Sequence, residues 1–175
     1  MSFISIDVEA DGPIPGVYSM VSFGAVIVEE GLTKTFYREV KPISEKWIPD
    51  ALAVSGYSRE EHESFGDPLQ AMIEFSEWLN ENSKGRPTMI SDNPAFDWQW
   101  INYYFHFFTE SNPMGFSARR LGDLYCGLVK DASKNHEWKR KLRKTKHTHN
   151  ALDDAKGNAE ALLAMKEMGL KIGFK

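Results

Sequence analysis

Cysteine is almost absent: Cys126 is the only one in 175 residues. This excludes an internal disulfide and any zinc site built on cysteine pairs, and it fits a reducing cytoplasm. Long apolar runs are missing as well. No window approaches the roughly 18 continuous apolar residues that a membrane span needs, and the first residues carry no basic segment followed by an apolar stretch. A soluble, cytoplasmic chain with no membrane contact is therefore expected. Repeats, low-complexity tracts and linker-like segments are also lacking. With 42% hydrophobic residues the length suits one well-buried core, so residues 1–175 are expected to form a single domain. There is no excess of cations. The formal net charge of −4 argues against a protein that coats nucleic acid, although global charge says little about a local groove.

What is present starts with the apolar run Phe3-Ile4-Ser5-Ile6, ended by Asp7-Val8-Glu9 and then by the turn-rich Asp11-Gly12-Pro13-Ile14-Pro15-Gly16. Residues 19–28 are β-rich, and residues 35–40 alternate well enough to be their hairpin partner across Glu29-Glu30-Gly31. Asp67-Pro68 offers an N-cap with proline at the first helical position. Leu69, Met72, Ile73, Phe75, Trp78 and Leu79 then recur at mostly helical spacing up to Asn82. That helix leads to a strand at Thr88-Met89-Ile90-Ser91, and the order strand, strand, strand, helix, strand, helix, helix, helix predicts an α/β fold. Its mixed β-sheet has three antiparallel strands plus parallel strands and is flanked by α-helices.

Three frames carry carboxylates. Strand side chains alternate faces, so Asp7 and Glu9 project to the same side. Such a pair repels itself unless a proton or cation joins it, and a hard divalent ion with oxygen ligands is its natural partner. In the second frame, Asn93 and Pro94 start a helix that places Asp97 in its first turn, where the helix dipole alone also favours an acid. Phe96, Trp100, Tyr103 and Phe107 are expected as one aromatic stripe that is core, with Asp97 and Tyr104 at its margin. The third frame, His149 to Ala155, opens the last long helix with Asn150 as N-cap. Asp153 falls there with Lys156, Glu160 and Glu167 on the polar face. Asp154 falls with Ala151, Ala155, Ala161, Leu162 and Met165 on the packing face, and an inward carboxylate needs a partner. Histidine is the side chain suited to taking a proton near neutral pH, which makes His149 a candidate base beside its structural reading.

Other features are weaker. Residues 139–146 form a dense basic run that fits either a phosphate backbone or a solvated face. Asp7 to Gly12 imitates the start of a calcium-binding EF-hand loop, but its twelfth residue is Tyr18 and a strand precedes it. His147-Thr148-His149 suggests zinc, yet lacks a partner at suitable spacing. Asp123 is expected to serve a helix cap.

Taken together, Asp7-Val8-Glu9, the segment from Asn93 to Asp97, and the segment from His149 to Asp154 resemble the three motifs of the DnaQ-like 3′-to-5′ exonucleases of the DEDDh type. That superfamily includes the proofreading exonuclease subunits, oligoribonuclease and RNase T. Ser22-Phe23-Gly24-Ala25-Val26 resembles the family's second strand, and Ile48-Pro49 through Ser58 the approach to its first large helix, so the likeness runs through nearly the whole chain. It implies a ribonuclease H-like fold and a metal-dependent exonuclease acting on the 3′ end of single-stranded DNA or RNA. Nucleoside 5′-monophosphates would be released with two Mg²⁺ or Mn²⁺ ions. The resemblance assigns Asp7, Glu9, Asp97 and Asp154 as metal ligands, with Asp7 bridging, and His149 as the base. A homodimer is implied by several relatives. The chain departs from the family at Ala10-Asp11, where small or hydroxyl residues are common, and Asp11 is expected to put an extra negative charge near the terminal nucleotide. The competing expectation is a catalytically silent nucleic-acid-binding or interaction domain on the same scaffold.

Overall fold

A computed structural model describes residues 2–172. Its centre is strand β1 (Ser2–Ala10), whose even-numbered side chains Ile4, Ile6 and Val8 point into one apolar cluster while Phe3 points into another. The alternation settles the odd positions too. Ser5 donates its hydroxyl to the carbonyl of Ala155 at 2.7 Å, so Ser5, Asp7 and Glu9 face the last helix.

Strand β2 (Met20–Ile27) pairs antiparallel with β1, and β3 (Thr35–Glu39) pairs antiparallel with β2. Strand β4 (Pro87–Ser91) and a three-residue strand β5 (Ala118–Arg120) continue the sheet in parallel on the other side of β1, giving the order β3-β2-β1-β4-β5. The mixed sheet expected from the sequence is thus present, flanked by helices. Strand β5 was not anticipated. Short helices α1 (Pro49–Val54) and α2 (Arg59–Glu63) also precede the predicted helix, α2 being held by a full capping box of Ser58 and Glu61.

Helices α3 (Pro68–Asn82) and α4 (Pro94–Thr109) cover one face of the sheet. Phe75 of α3 meets Phe23, Phe36 and Phe105 with ring centroids 5.0–5.5 Å apart. Helix α5 (Leu121–Val129), the short α6 (Glu137–Lys141) and α7 (Ala151–Glu167) cover the other face around Trp138, Leu162 and Met165. Two glycines set how α7 docks. A Cβ on Gly24 of β2 would lie 2.4 Å from the backbone nitrogen of Leu152, so only glycine lets the first turn of α7 rest on the sheet there. A Cβ on Gly157 would lie 2.4 Å from Arg143 Nε, so this helical glycine clears a path for the arginine.

The expected stripe on α4 is corrected. The buried residues are Asp97, Trp100, Ile101, Tyr104 and Phe105, whereas Phe107 is 61% exposed. The helix is rotated toward Asp97 relative to the predicted face. In a segment that is aromatic nearly all round, packing against α3 and the sheet decides the phase.

Candidate active site

The carboxylates meet where β1 reaches its C-terminal end. Asp7 stands opposite Gly24 in the strand register, and Gly24 is also where α7 begins its contact with the sheet. Asn150 caps α7 by accepting from the backbone N–H groups of Leu152 and Asp153. One turn later Asp154, buried to 1% exposure, reaches the two strand acids, while Asp153 stays exposed as its helix phase predicts. One oxygen from each of Asp7, Glu9 and Asp154 falls within 4.8 Å of the others.

Asp97 approaches the same strand from the first turn of α4. It is buried, and its Oδ1 accepts from the Val8 backbone N–H at 3.2 Å. Its charge acts on Asp7 and Glu9, although it lies outside the three-oxygen cluster. His149 sits just before α7 with φ 57°, and its Nδ1 is 3.9 Å from Glu9 Oε1. All five sequence-predicted residues therefore come to one end of the sheet, in a core of three acids with Asp97 and His149 beside it.

The electrostatics are those of carboxylates crowded together at one end of the sheet. Burial, followed by the charges of Asp97, Glu9 and Asp154, pushes the Asp7 carboxyl well above its ordinary range. Burial and then the charges of Asp154 and Asp97 bring Glu9 up to about 8. Asp97 rises to about 7, mainly through burial, with the Val8 N–H hydrogen bond pulling the other way. Acids that resist ionising alone and share one small space are relieved by a hard divalent cation, so the donor set fits Mg²⁺ or Mn²⁺.

Asp154 has partners that the sequence did not reveal. Arg143 donates Nη2 to Oδ1 at 2.7 Å, His147 Nδ1 lies 2.8 Å from Oδ2, and the His149 backbone N–H donates to Oδ2 at 3.0 Å. Arg143 is 8% exposed and belongs to the basic run read as a phosphate tracker or solvated face. The rest of that run divides. Lys139 pairs with Asp92, and Lys144 and Thr145 donate backbone N–H groups to Glu160. Residues 143–147 with Asp92 and Lys139 line a cavity of about 260 Å³ next to the acids. The pattern His-x-His and the mid-helix Gly157 were the only sequence signals of these contacts.

Asp11 corrects an expectation. Its carboxylate is fully buried, accepts from the Ser19 N–H at 2.5 Å and pairs with Arg59 at 3.1 Å, so its charge is spent on tying the turn after β1 to α2. Burial brings it up to about 6, against the pull of Ser19 and Arg59. Asp123 lies in the first turn of α5, exposed and 3.9 Å from Arg120, while Arg120 occupies the cap position.

Comparison with known proteins agrees with this geometry. The description 3'-5' exoribonuclease Rv2179c-like domain matches residues 2–165. The chain belongs to this family. It is also 40% identical over 176 aligned residues to the 3'-5' DNA exonuclease Cap18 of Escherichia coli, covering 97% of this chain and 94% of the relative. The nuclease domain of 3'hExo, a DEDDh family member bound to rAMP, superposes with TM-score 0.78 at 17% identity, over 98% of this chain and 94% of that one. Exonuclease X in complex with 5' overhanging duplex DNA superposes with TM-score 0.66 at 17% identity, over 97% and 94%. The Rv2179c-like chain is thus a 3′-to-5′ exonuclease, and it shares its ribonuclease H-like fold with a solved DEDDh nuclease domain. No subtype such as RNase T or oligoribonuclease is singled out. Among the described residues no helix is long and apolar enough to cross a membrane.

Proposed function

We propose that this exonuclease removes nucleotides one at a time from the 3′ end of single-stranded nucleic acid, by hydrolysis that depends on two Mg²⁺ or Mn²⁺ ions. The observation that carries the reading is the convergence of Asp7, Glu9 and Asp154, three oxygens within 4.8 Å, where burial and mutual repulsion discourage Asp7 and Glu9 from ionising without a cation. When bound, such ions lower the pKa of a water and neutralise charge on the leaving oxygen. Asp7, Glu9 and Asp154 would hold the nucleophile side, Asp7 would bridge, and Asp97 would support the second ion from its place beside Val8.

The protein's own groups then do the following work. His149, half-exposed and next to Glu9, accepts the proton of the attacking water. Arg143 and the His149 N–H fix the Asp154 carboxylate, so it meets the site in a set orientation. Lys144 and Lys146 line the adjoining cavity and offer positive charge to the strand's phosphates. We also read residues 1–175 as one domain and place its activity in the cytoplasm, which the free Cys126 suits.

The family description refers to RNA and the 40% identical relative to DNA, so both polymers belong in the assay. Purified protein is incubated with internally labelled and 3′-labelled single strands of RNA and DNA, with Mn²⁺ or Mg²⁺ and then with chelator. Release of nucleoside 5′-monophosphates from the 3′ end, stopped by chelator, is expected. Cleavage that persists without metal, or products carrying a 3′-phosphate, would overturn the mechanism.

A further inference from the structure

In the sequence, His147 and His149 have no third ligand at zinc-site spacing. The fold supplies one. Asp154 lies one turn into α7, and because Asn150 caps that helix directly after His149, its carboxylate sits against the loop that carries both imidazoles. His147 Nδ1 is 2.8 Å from Asp154 Oδ2, the two rings are 4.3 Å apart at 60°, and one ligand atom from each of the three residues lies within 4.8 Å of the others.

Three contacts hold this arrangement in place. His149 takes a left-handed backbone, φ 57°, a conformation costly for a residue with a Cβ, and it turns the chain where the two rings meet edge to face. The backbone N–H groups of Thr148 and His149 donate to the Asp154 carboxylate at 3.4 and 3.0 Å. Arg143 and the Thr148 N–H take Oδ1, whereas Oδ2 faces His147, accepts from the His149 N–H and keeps a second lone pair with which to act as a single-oxygen ligand while the arginine pair persists.

We infer that His147, His149 and Asp154 form a second metal site, for a borderline divalent ion of the Zn²⁺ class. The donor chemistry separates it from the all-carboxylate cluster. Imidazole nitrogen suits Zn²⁺, Ni²⁺ and Cu²⁺, whereas carboxylates suit Mg²⁺ and Mn²⁺. Two histidines and one carboxylate, with bonds of about 2.0–2.2 Å, leave a fourth tetrahedral position for water. The histidine side chains are 57% and 48% exposed, so an ion reaches them from solvent. Because His149 and Asp154 belong to both centres, zinc held here withdraws the base and one carboxylate from hydrolysis, and so inhibits the enzyme. The inhibition rests on the proposed roles of those two residues, whereas the binding stands on the geometry alone.

The test is Zn²⁺ titration of the metal-free full chain by calorimetry without Mg²⁺, which would compete for Asp154. One zinc per chain is expected. His147→Ala and His147→Gln should each weaken it by on the order of tenfold or more, and Asp7→Asn should leave it unchanged. Zinc binding undisturbed in both His147 variants, or lost in Asp7→Asn alone, would overturn the site, as would no binding by the native chain. In a second arm, Zn²⁺ added to Mn²⁺-supported cleavage should inhibit the native enzyme and spare His147→Ala. If that arm shows no cleavage at all, the hydrolytic reading fails while the titration still decides the zinc site.

Discussion

Asp7 faces Gly24 across the β1–β2 pair, and the missing side chain at Gly24 is what lets α7 carry Asp154 to Asp7. The carboxylate arrangement thus depends on a residue with no functional group. A Cβ there would come 2.4–2.5 Å from backbone atoms of Ala151 and Leu152, and backbone does not step aside as a flexible side chain would. Gly24→Ala is expected to destabilise the fold by roughly 1–3 kcal/mol, as overpacking does, and to weaken Mn²⁺ binding by tilting α7. Gly127→Ala in α5, where a Cβ would meet nothing within 4 Å, should instead gain about 0.5–1 kcal/mol. Denaturant unfolding of the two variants checks both signs.

Arg143 and Gly157 form a second such pair. Helix propensity alone predicts that Gly157→Ala stabilises α7 by about 1 kcal/mol. Here the added Cβ would displace the guanidinium from beside Asp154, so loss of stability is expected, in the same direction as Arg143→Ala. Removing one partner of a buried pair costs roughly 3 kcal/mol, and Asp154 is almost wholly buried. A thermally stabilised Gly157→Ala protein with native metal affinity would refute the role given to Arg143.

The raised carboxyls predict an unusual pH response in chelator. Glu9, at about 8, and Asp97, at about 7, keep protons in the folded chain that the unfolded chain has released, since their ordinary values are 4.5 and 3.8. Their contribution is complete below those ordinary values and is lost as the pH rises through the folded ones. Buried His62 acts oppositely, because desolvation lowers it from 6.5 and so penalises the fold below that pH. The clearest window therefore runs from about 6.5 to 8, where the melting temperature in chelator should fall. Mn²⁺ binds the ionised acids, so it should stabilise more at pH 8 than at 6.5. A melting temperature that climbs with pH in chelator would contradict this.

Asp153 and Asp154 provide the sharpest side-chain comparison, since adjacent acids on one helix differ by about 100° in direction. Asp154→Asn should lower kcat by on the order of a thousandfold, and Asp153→Asn, on the exposed face, by little. Equal losses in single-turnover assays would remove Asp154 from the site.

That pair also shows what the sequence makes legible. Strand alternation put Asp7 and Glu9 on one side, and the 3.6-residue repeat separated Asp154 from Asp153, because both rules follow from local geometry. The face of α4 was not readable in the same way. Phe96, Tyr103 and Phe107 look as apolar as Trp100 and Phe105, and only contact with α3 and the sheet selects the buried set. Strand β5 escaped notice because Ala118-Arg119-Arg120 is too short and too charged to alternate, as edge strands often are. Charge in the basic run was visible, but its partners were not: Arg143 spends its charge on Asp154, and Asp11, read as a substrate neighbour, spends its own on Arg59.

The central claim is that Asp7, Glu9 and Asp154, with Asp97 and His149 beside them, hold the hydrolytic metals. Anomalous diffraction from crystals soaked in Mn²⁺ and a nucleoside 5′-monophosphate tests it most directly. Two manganese peaks roughly 3.5–4 Å apart, ligated by these carboxylates and touching the phosphate, are the expected result. Crystals with manganese absent from the end of β1, or bound there without Asp7 and Asp154, would contradict it.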